Sequence, residues 1–136
     1  MQIVPNLHFD GDCEKAIELY ERAFKTKRTI LLKNKDANPR DVDEPIDDKE
    51  LERVYHAEML IDNQKIMLND NTNALQRGTN VSLMVSLDDV EDVMEAYEIL
   101  KEDAKIIVPL KTTTYSSGFV SLIDRYGVRW ELMQEV

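Results

Sequence analysis

An internal repeat limits the folds that this chain can adopt more strongly than any other feature of its sequence. Two acidic, amphipathic segments lie 77 residues apart. Five residues are identical between them, with Asp12, Glu14, Glu18, Tyr20 and Glu21 aligned on Asp89, Glu91, Glu95, Tyr97 and Glu98. The apolar positions also align, with Cys13 on Val90 and Ala16 on Val93. Such repetition indicates two copies of one supersecondary module.

Hydrophobic periodicity predicts the same order of elements in both copies. The first copy has a strand at 3–9, a helix at 12–24, and strands at 29–32, 54–61 and 65–68. The second has a strand at 81–87, a helix at 88–102, and strands at 106–108, 119–123 and 128–133. Asp88 and Glu91 have the spacing of a capping box at the start of the second helix. Pro109 is expected to end strand 106–108.

The predicted fold is α+β, with two βαβββ modules forming one domain that has a curved mixed β-sheet and helices on its outer face. Module one covers residues 1–72 and module two covers residues 79–136. The final hairpins of the two modules align with a shift of only 62 residues, which places Asn69 at the position of Glu131. An insertion at 35–52 in module one accounts for the difference between the two shifts.

This insertion is the most acidic part of the chain. The stretch from Asp36 to Glu52 carries six of the ten net negative charges. Pro39 and Pro45 lie within it and predict an irregular loop. Two interpretations remain open: a solvated loop that is merely tolerated, which we favour, or a lid that gates a pocket and repels anions.

Composition excludes several classes of function. A net charge of −10 argues against nucleic acid as a partner, because phosphates require a basic surface. No apolar run approaches the roughly 18 residues that a membrane span needs. A single cysteine is typical of a reducing compartment, so a cytoplasmic location is predicted.

Several short motifs, taken in order, resemble those of the vicinal oxygen chelate superfamily and most of all its PhnB-like, glyoxalase-related branch. They are PNLHFDG at 5–11, AIELY at 16–20, HAEML at 56–60, IMLND at 66–70, VPL at 108–110 and DRYGVRW at 124–130. The superfamily includes glyoxalase I, extradiol dioxygenases and the bleomycin and fosfomycin resistance proteins. Branch members often have Trp-Gly before the last hairpin, where this chain has Thr114-Tyr115-Ser116-Ser117.

The resemblance implies a divalent metal held by the first and last strands of each module. Its four ligand positions fall near Pro5, Ser82, Asn69 and Glu131 in this chain. Only Glu131 has the carboxylate that the superfamily uses, and one good ligand in four does not make a metal site. The sequence therefore predicts no cofactor, with a divalent metal left open as the alternative.

Two residues are predicted to be catalytic, Glu131 and His56. Glu131 is a candidate metal ligand, general base or substrate anchor, or else a carboxylate paired with Arg129. His56 and Glu58 are two residues apart on one strand and therefore face the same way. With Glu131 they would form an acid–base or metal-binding group, although a hydrogen-bonded pocket histidine is the interpretation that we favour.

Further residues are predicted to line the pocket: His8, Glu58, Met67, Asn69, Tyr115, Phe119 and Arg129. The direction of His8 is left open; if it faces inward, it would complete a two-histidine, one-carboxylate set with His56 and Glu131 of the kind that binds non-haem iron. Cys13 follows a predicted helix start but lies on the apolar stripe, so it is predicted to be a small core residue.

Two functions remain open. The first is an enzyme of the lyase or isomerase type that acts on a small oxygen-rich metabolite or xenobiotic, with Glu131 and His56 transferring protons. The second is a metal-free binding or sequestering protein of the bleomycin-resistance kind. Unpaired sheet edges and the family resemblance predict a homodimer with a small-molecule ligand.

Overall fold

The computed structural model describes residues 1–42, 45–70 and 74–135, and it divides into two compact units. The first unit comprises Met1–Glu21 and Lys25–Leu75. Its four strands are β1 (Asn6–Phe9), β2 (Arg28–Lys33), β3 (Val54–Ile61) and β4 (Gln64–Asp70), in the spatial order β1-β4-β3-β2. The pairing of β1 with β4 is parallel, and the other two pairings are antiparallel.

Helix α1 (Cys13–Phe24) supplies the apolar stripe that the sequence predicts. Buried positions recur at three- and four-residue steps along it: Cys13, Ala16, Ile17, Leu19, Tyr20 and Ala23. The helix ends at Lys25, whose φ of 52° lies in the left-handed region that stops helices. The Asp70 carboxylate at the end of β4 accepts hydrogen bonds from the backbone N–H groups of Gly11 and Cys13, so it fixes the start of the helix.

The second unit comprises Arg22–Phe24 and Gln76–Val136. It contains β5 (Leu83–Leu87), α2 (Val90–Leu100), β6 (Lys105–Lys111), β7 (Ser116–Ile123) and β8 (Arg129–Glu135). Its strand order is β5-β8-β7-β6, again with a parallel pair, β5 with β8, and two antiparallel pairs. The described residues therefore contain two four-stranded mixed sheets with equivalent strand orders, and the predicted α+β class with two βαβββ modules is confirmed.

The structure refines the alignment of the two modules. Leu7 pairs with Leu68 in the first sheet, and Leu83 pairs with Trp130 in the second. The shift is therefore 76 residues for the first strands, one less than for the helices, and it stays 62 for the last strands. As a result, the counterpart of Ser82 is Asn6, and the prediction of Pro5 at that position is wrong. The connection before α1 is one residue shorter than the connection before α2.

The other predicted boundaries hold to within a few residues, with three differences. Asp89 is the N-cap of α2 and makes no side-chain capping bond, so the predicted capping box at Asp88 is wrong. Strand β6 continues through Pro109 to Lys111. It is an edge strand, where the missing N–H of a proline removes no hydrogen bond from the sheet. Strand β1 begins only at Asn6.

The acidic insertion is more regular than predicted. It contains three single-turn 3-10 helices, at Asn34–Asp36, Pro39–Asp41 and Asp48–Glu50. Pro39 starts one of them, which is the helical position where its missing N–H has no cost. Lys33 and Lys35 both pair with Glu52, which lowers the pKa of that carboxyl to about 2. Asp43 and Glu44 lie outside the described residues, and the lid remains a prediction.

Neither helix in the part of the chain that the structure describes is long and apolar enough to cross a membrane.

Asp124 organises the last hairpin of the second unit. Its carboxylate is 3% exposed. It accepts hydrogen bonds from the N–H groups of Tyr126 at 2.8 Å and Val128 at 3.1 Å, and from the indole of Trp130 at 2.9 Å. One buried anion thus holds the turn and orients the largest side chain of the core.

Replacing this anion should destabilise the protein. We expect Asp124→Asn to lower the free energy of unfolding by about 2–3 kcal/mol, because an amide cannot accept all the hydrogen bonds that the carboxylate accepts. Urea denaturation followed by tryptophan fluorescence measures the change, since Trp130 is the single tryptophan. Asp62→Asn is the control: this exposed residue opens the β3–β4 turn with φ 52°, which asparagine tolerates. Equal losses in the two variants would contradict the assignment.

Candidate functional site

Strand β8 has one apolar face and one polar face, as its alternating sequence predicts. Trp130 and Leu132 are buried in the core. Arg129, Glu131 and Met133 point to the opposite side of the sheet, because successive side chains of a strand alternate between faces. Neighbouring strands supply the residues that surround Glu131 on this second face.

Glu131 lies between two serine residues. The hydroxyl of Ser82, just before β5, donates a hydrogen bond to Oε1 of Glu131 at 2.6 Å. Ser121 on β7 is the cross-strand partner of Glu131 and therefore shares its face. Ser121 is 1% exposed, and its buried hydroxyl has no hydrogen-bond partner among the described residues. Hydroxyl, carboxylate and hydroxyl thus form a row across three adjacent strands, which we call the Ser-Glu-Ser row.

The Glu131 carboxylate has no basic partner among the described residues. Arg129 lies two positions earlier on the same face, but its guanidinium donates to the backbone carbonyl of Thr79. The predicted alternative of a Glu131–Arg129 ion pair is therefore wrong for this structure. A half-buried carboxylate that is held by a hydroxyl alone retains acceptor capacity for a ligand.

Apolar and aromatic side chains lie beside the Ser-Glu-Ser row. Met84 on β5 is the strand partner of Glu131, and Phe119 on β7 is the strand partner of Met133. The ring of Tyr115 meets Phe119 edge to face, with centroids 6.0 Å apart. Tyr115 is largely exposed, whereas Phe119 is buried. The sequence predicted Phe119 and Tyr115 as pocket-lining residues, and the structure places them with Glu131 in the second unit.

A second polar group lies on the sheet of the first unit. Nε2 of His56 lies 3.1 Å from Oε2 of Glu58, and Nζ of Lys65 lies 3.0 Å from Oε1 of the same carboxylate. The hydrogen bonds from Lys65 and then His56 hold the pKa of Glu58 below its usual range. His56 and Glu58 do share a face, as predicted, and Lys65 is a partner that the sequence did not reveal.

His8 and Asn69 form a third polar pair, also in the first unit. They are strand partners across β1 and β4, and Nδ1 of His8 lies 2.8 Å from Oδ1 of Asn69. Met67, two residues before Asn69, is the strand partner of Glu58 and shares this face. His8 therefore lies on the same side of the sheet as Asn69, which settles the direction that the sequence left open.

Two of the residues that the sequence missed had a signal in it. Ser121 alternates with the buried Val120 and Leu122 along β7, so its position on the polar face follows from the strand period. Lys65 follows a turn and could have been placed opposite Glu58 only with the hairpin register. Among the described residues, no group of three or more His, Cys, Asp and Glu side chains could hold a metal ion.

Cys13 is buried in the core of the first unit, as predicted. Burial raises the pKa of its thiol far above the usual range, and the nearby carboxylates of Asp70 and Glu14 raise it further. The thiol is thus protonated at neutral pH and has no role as a nucleophile.

This burial predicts low reactivity. We expect the Cys13 thiol to react with iodoacetamide about a hundred times or more slowly in the native protein than in 6 M guanidinium, because only a rare thiolate can attack. Mass spectrometry measures the labelling directly, since the chain has one cysteine. Labelling at comparable rates in the two conditions would show that the thiol is accessible and would contradict its place in the core.

Comparison with known proteins assigns this fold and site to a family. Protein PA1353 from Pseudomonas aeruginosa is 25% identical, with 99% of this chain and 98% of that chain covered and a TM-score of 0.84. The putative 3-demethylubiquinone-9 3-methyltransferase, PhnB protein, from Bacillus cereus is 28% identical, with coverages of 98% and 99% and a TM-score of 0.81. The fosfomycin resistance protein FosX from Listeria monocytogenes is 14% identical over 100% of this chain and 93% of its own, with a TM-score of 0.67, and shows likeness of fold.

No curated protein matches the sequence. The family model described as 3-demethylubiquinone-9 3-methyltransferase matches residues 1–133. The predicted resemblance is confirmed: the chain belongs to this PhnB-like family and has the vicinal oxygen chelate fold.

Proposed function

We propose that the protein binds a small molecule on the polar face of its second unit, with Glu131 as the anchor and without a metal. The observation that carries this proposal is the Ser-Glu-Ser row. Its central carboxylate has no basic partner among the described residues, and the hydroxyl of Ser121 is buried and unpaired there. Buried polar groups are normally paired, so a ligand that satisfies them gains binding energy.

The chemistry of the row selects the ligand. Ser82 uses its proton on Glu131, so the row presents mainly hydrogen-bond acceptors and one negative charge. A ligand that complements it carries donors, with an ammonium group first and hydroxyl groups second. Phe119 and the half-exposed Met84 lie on the same face and suit an apolar body. The proposed ligand is therefore a metabolite or xenobiotic with a cationic or donor-rich end and an apolar remainder.

The divalent metal that the fold implies does not fit these residues. In the second unit the donors are one carboxylate and one hydroxyl, already hydrogen-bonded to each other. In the first unit the amide of Asn69 occupies one ring nitrogen of His8. Transition metals prefer several imidazole, thiolate or carboxylate ligands, so neither set resembles a metal site. The proposal includes no metal-dependent step.

The methyl transfer named in the family description is also outside the proposal. A nucleotide-like methyl donor would need a cradle, which glycine-rich turns at helix starts commonly supply. At the start of α1 the N–H groups of Gly11 and Cys13 are already bound to the Asp70 carboxylate. These residues do not fit such a cofactor.

A proton-transfer enzyme of the lyase or isomerase type is the second candidate function. It would act on a small oxygen-rich metabolite or xenobiotic, with Glu131 and His56 as the proton-transferring groups. The observation that favours it is the hydrogen bond between His56 and Glu58, because a carboxylate commonly orients a histidine that transfers protons. Binding is common to both candidates, so it is the property to test first.

We also propose that the protein is a homodimer. Strand β2 lies at the edge of the first sheet, and Ile30, Leu32 and Leu60 expose more than a third of their surface on its polar side. An exposed apolar edge of this kind is commonly covered by a second copy of the chain. Sedimentation analysis distinguishes a dimer from a monomer.

The binding proposal predicts a graded response to charge. In a buffer containing EDTA, 2-phenylethylamine should bind more tightly than 2-phenylethanol, and phenylacetate should bind most weakly, because the site presents a carboxylate. We expect Glu131→Gln to weaken the binding of the amine about tenfold or more, since hydrogen bonds to charged groups contribute about 1.5–3 kcal/mol. Isothermal titration calorimetry measures both effects.

Glu135→Gln is the matched control, because it removes the same charge from the exposed end of the same strand. It should leave the affinity for the amine unchanged. Binding that appears only after a divalent metal is added, or amine binding that Glu131→Gln leaves intact, would count against the proposal.

A further inference from the structure

We propose that His56 is an oriented proton acceptor, a general base that takes a proton from a ligand bound on the first unit. In this arrangement Glu58 is the positioning residue, and Lys65 supplies the positive charge that stabilises the resulting anion. The inference concerns a different unit from the Ser-Glu-Ser row and does not depend on ligand binding at Glu131.

The contact with Glu58 determines which ring nitrogen of His56 carries the proton. Nε2 lies 3.1 Å from the Oε2 atom of Glu58. An ionised carboxylate only accepts hydrogen bonds, so Nε2 must be the donor. In the neutral ring, Nδ1 then carries the lone pair. A second-shell carboxylate fixes the tautomer of histidines in many enzymes and makes the opposite nitrogen more basic.

The carboxylate itself is unavailable as a base. One oxygen is bound by His56 and the other by Lys65, whose Nζ lies 3.0 Å from Oε1. These two contacts keep the pKa of Glu58 low, and Lys65 contributes the larger effect. Glu58 therefore remains charged, and the uncommitted acceptor of this group is Nδ1 of His56.

Nδ1 is open to a ligand. The His56 side chain is 29% exposed, and Nδ1 has no hydrogen-bond partner among the described residues. On the same face lie Leu32 and Ile30, the strand partners of His56 and Glu58, which leave apolar surface exposed. The face thus combines a base, a cation and an apolar surface.

These groups define a class of substrate. A hydroxyl, or a C–H next to a carbonyl, would give its proton to Nδ1, leaving an anion on the ligand and an imidazolium on His56. The Glu58 carboxylate stabilises that imidazolium, and the Lys65 ammonium stabilises the anion. The step needs no oxidant, reductant or co-reactant. The substrate is therefore a small carbon acid or alcohol with an apolar part.

His8 supplies an internal comparison. The Oδ1 atom of Asn69 is an acceptor, so the Nδ1 atom that faces it at 2.8 Å carries the proton. The neutral rings of His8 and His56 thus have opposite tautomers. These are the two histidines of the chain, so their spectra can be separated completely.

Nitrogen-15 NMR of histidine-labelled protein at pH 8.5 tests the assignment, with His8→Asn used to identify the signals. The expected result is an unprotonated Nδ1 on His56 and an unprotonated Nε2 on His8. A protonated Nδ1 on neutral His56 would overturn the proposal.

Reactivity tests the role of Glu58. Diethyl pyrocarbonate should modify His56 at Nδ1, and Glu58→Gln should slow this reaction about three- to tenfold, because the ring loses its anionic partner. Glu58→Ala should also produce a mixture of tautomers, and circular dichroism checks that both variants fold. Glu18→Gln removes an exposed charge from α1 of the same unit and should change neither result. An unchanged rate in folded Glu58→Gln would show that Glu58 is only structural and would overturn its positioning role.

Discussion

The parallel pairing of the first strand of each unit with its last strand is the interaction on which the rest of the structure depends. Antiparallel neighbours can be joined by short turns, whereas a parallel pair needs a crossover, which here contains a helix and two further strands. The pairing sets Leu83 beside Trp130 on the core side and Met84 beside Glu131 on the other. It also brings Ser82 within 2.6 Å of Glu131. Core and candidate site are therefore two sides of one ladder.

The two units use this ladder for different chemistry. In the first unit, imidazole and amide groups face each other at His8 and Asn69, and the neighbouring strands add the His56–Glu58 pair. In the second unit the equivalent strands supply the Ser-Glu-Ser row. The backbone pairing is repeated, but the polar groups are not. This difference supports assigning an anchoring role to one unit and a proton-accepting role to the other.

Much of the fold could be predicted from the sequence, because the apolar stripes of α1 and α2 and the alternation of β8 report burial directly. The site was less predictable. A one-residue difference before the helices shifted the alignment from Asn6 to Pro5, and side-chain periodicity does not reveal such a slip. The contact of Lys65 with Glu58 depends on the hairpin register. The irregular register between Lys33 and Leu32, opposite Val54 and His56, changes which side chains share a face.

The central claim is that Glu131 binds a ligand directly, without a metal. The most direct measurement is a crystal structure of metal-depleted protein soaked with 2-phenylethylamine, recorded with anomalous data. The account predicts an ammonium group within hydrogen-bonding distance of the Glu131 carboxylate and of Ser121, with no anomalous peak beside them. An anomalous peak on the Glu131 carboxylate, or an amine bound elsewhere with the Ser-Glu-Ser row unchanged, would contradict it.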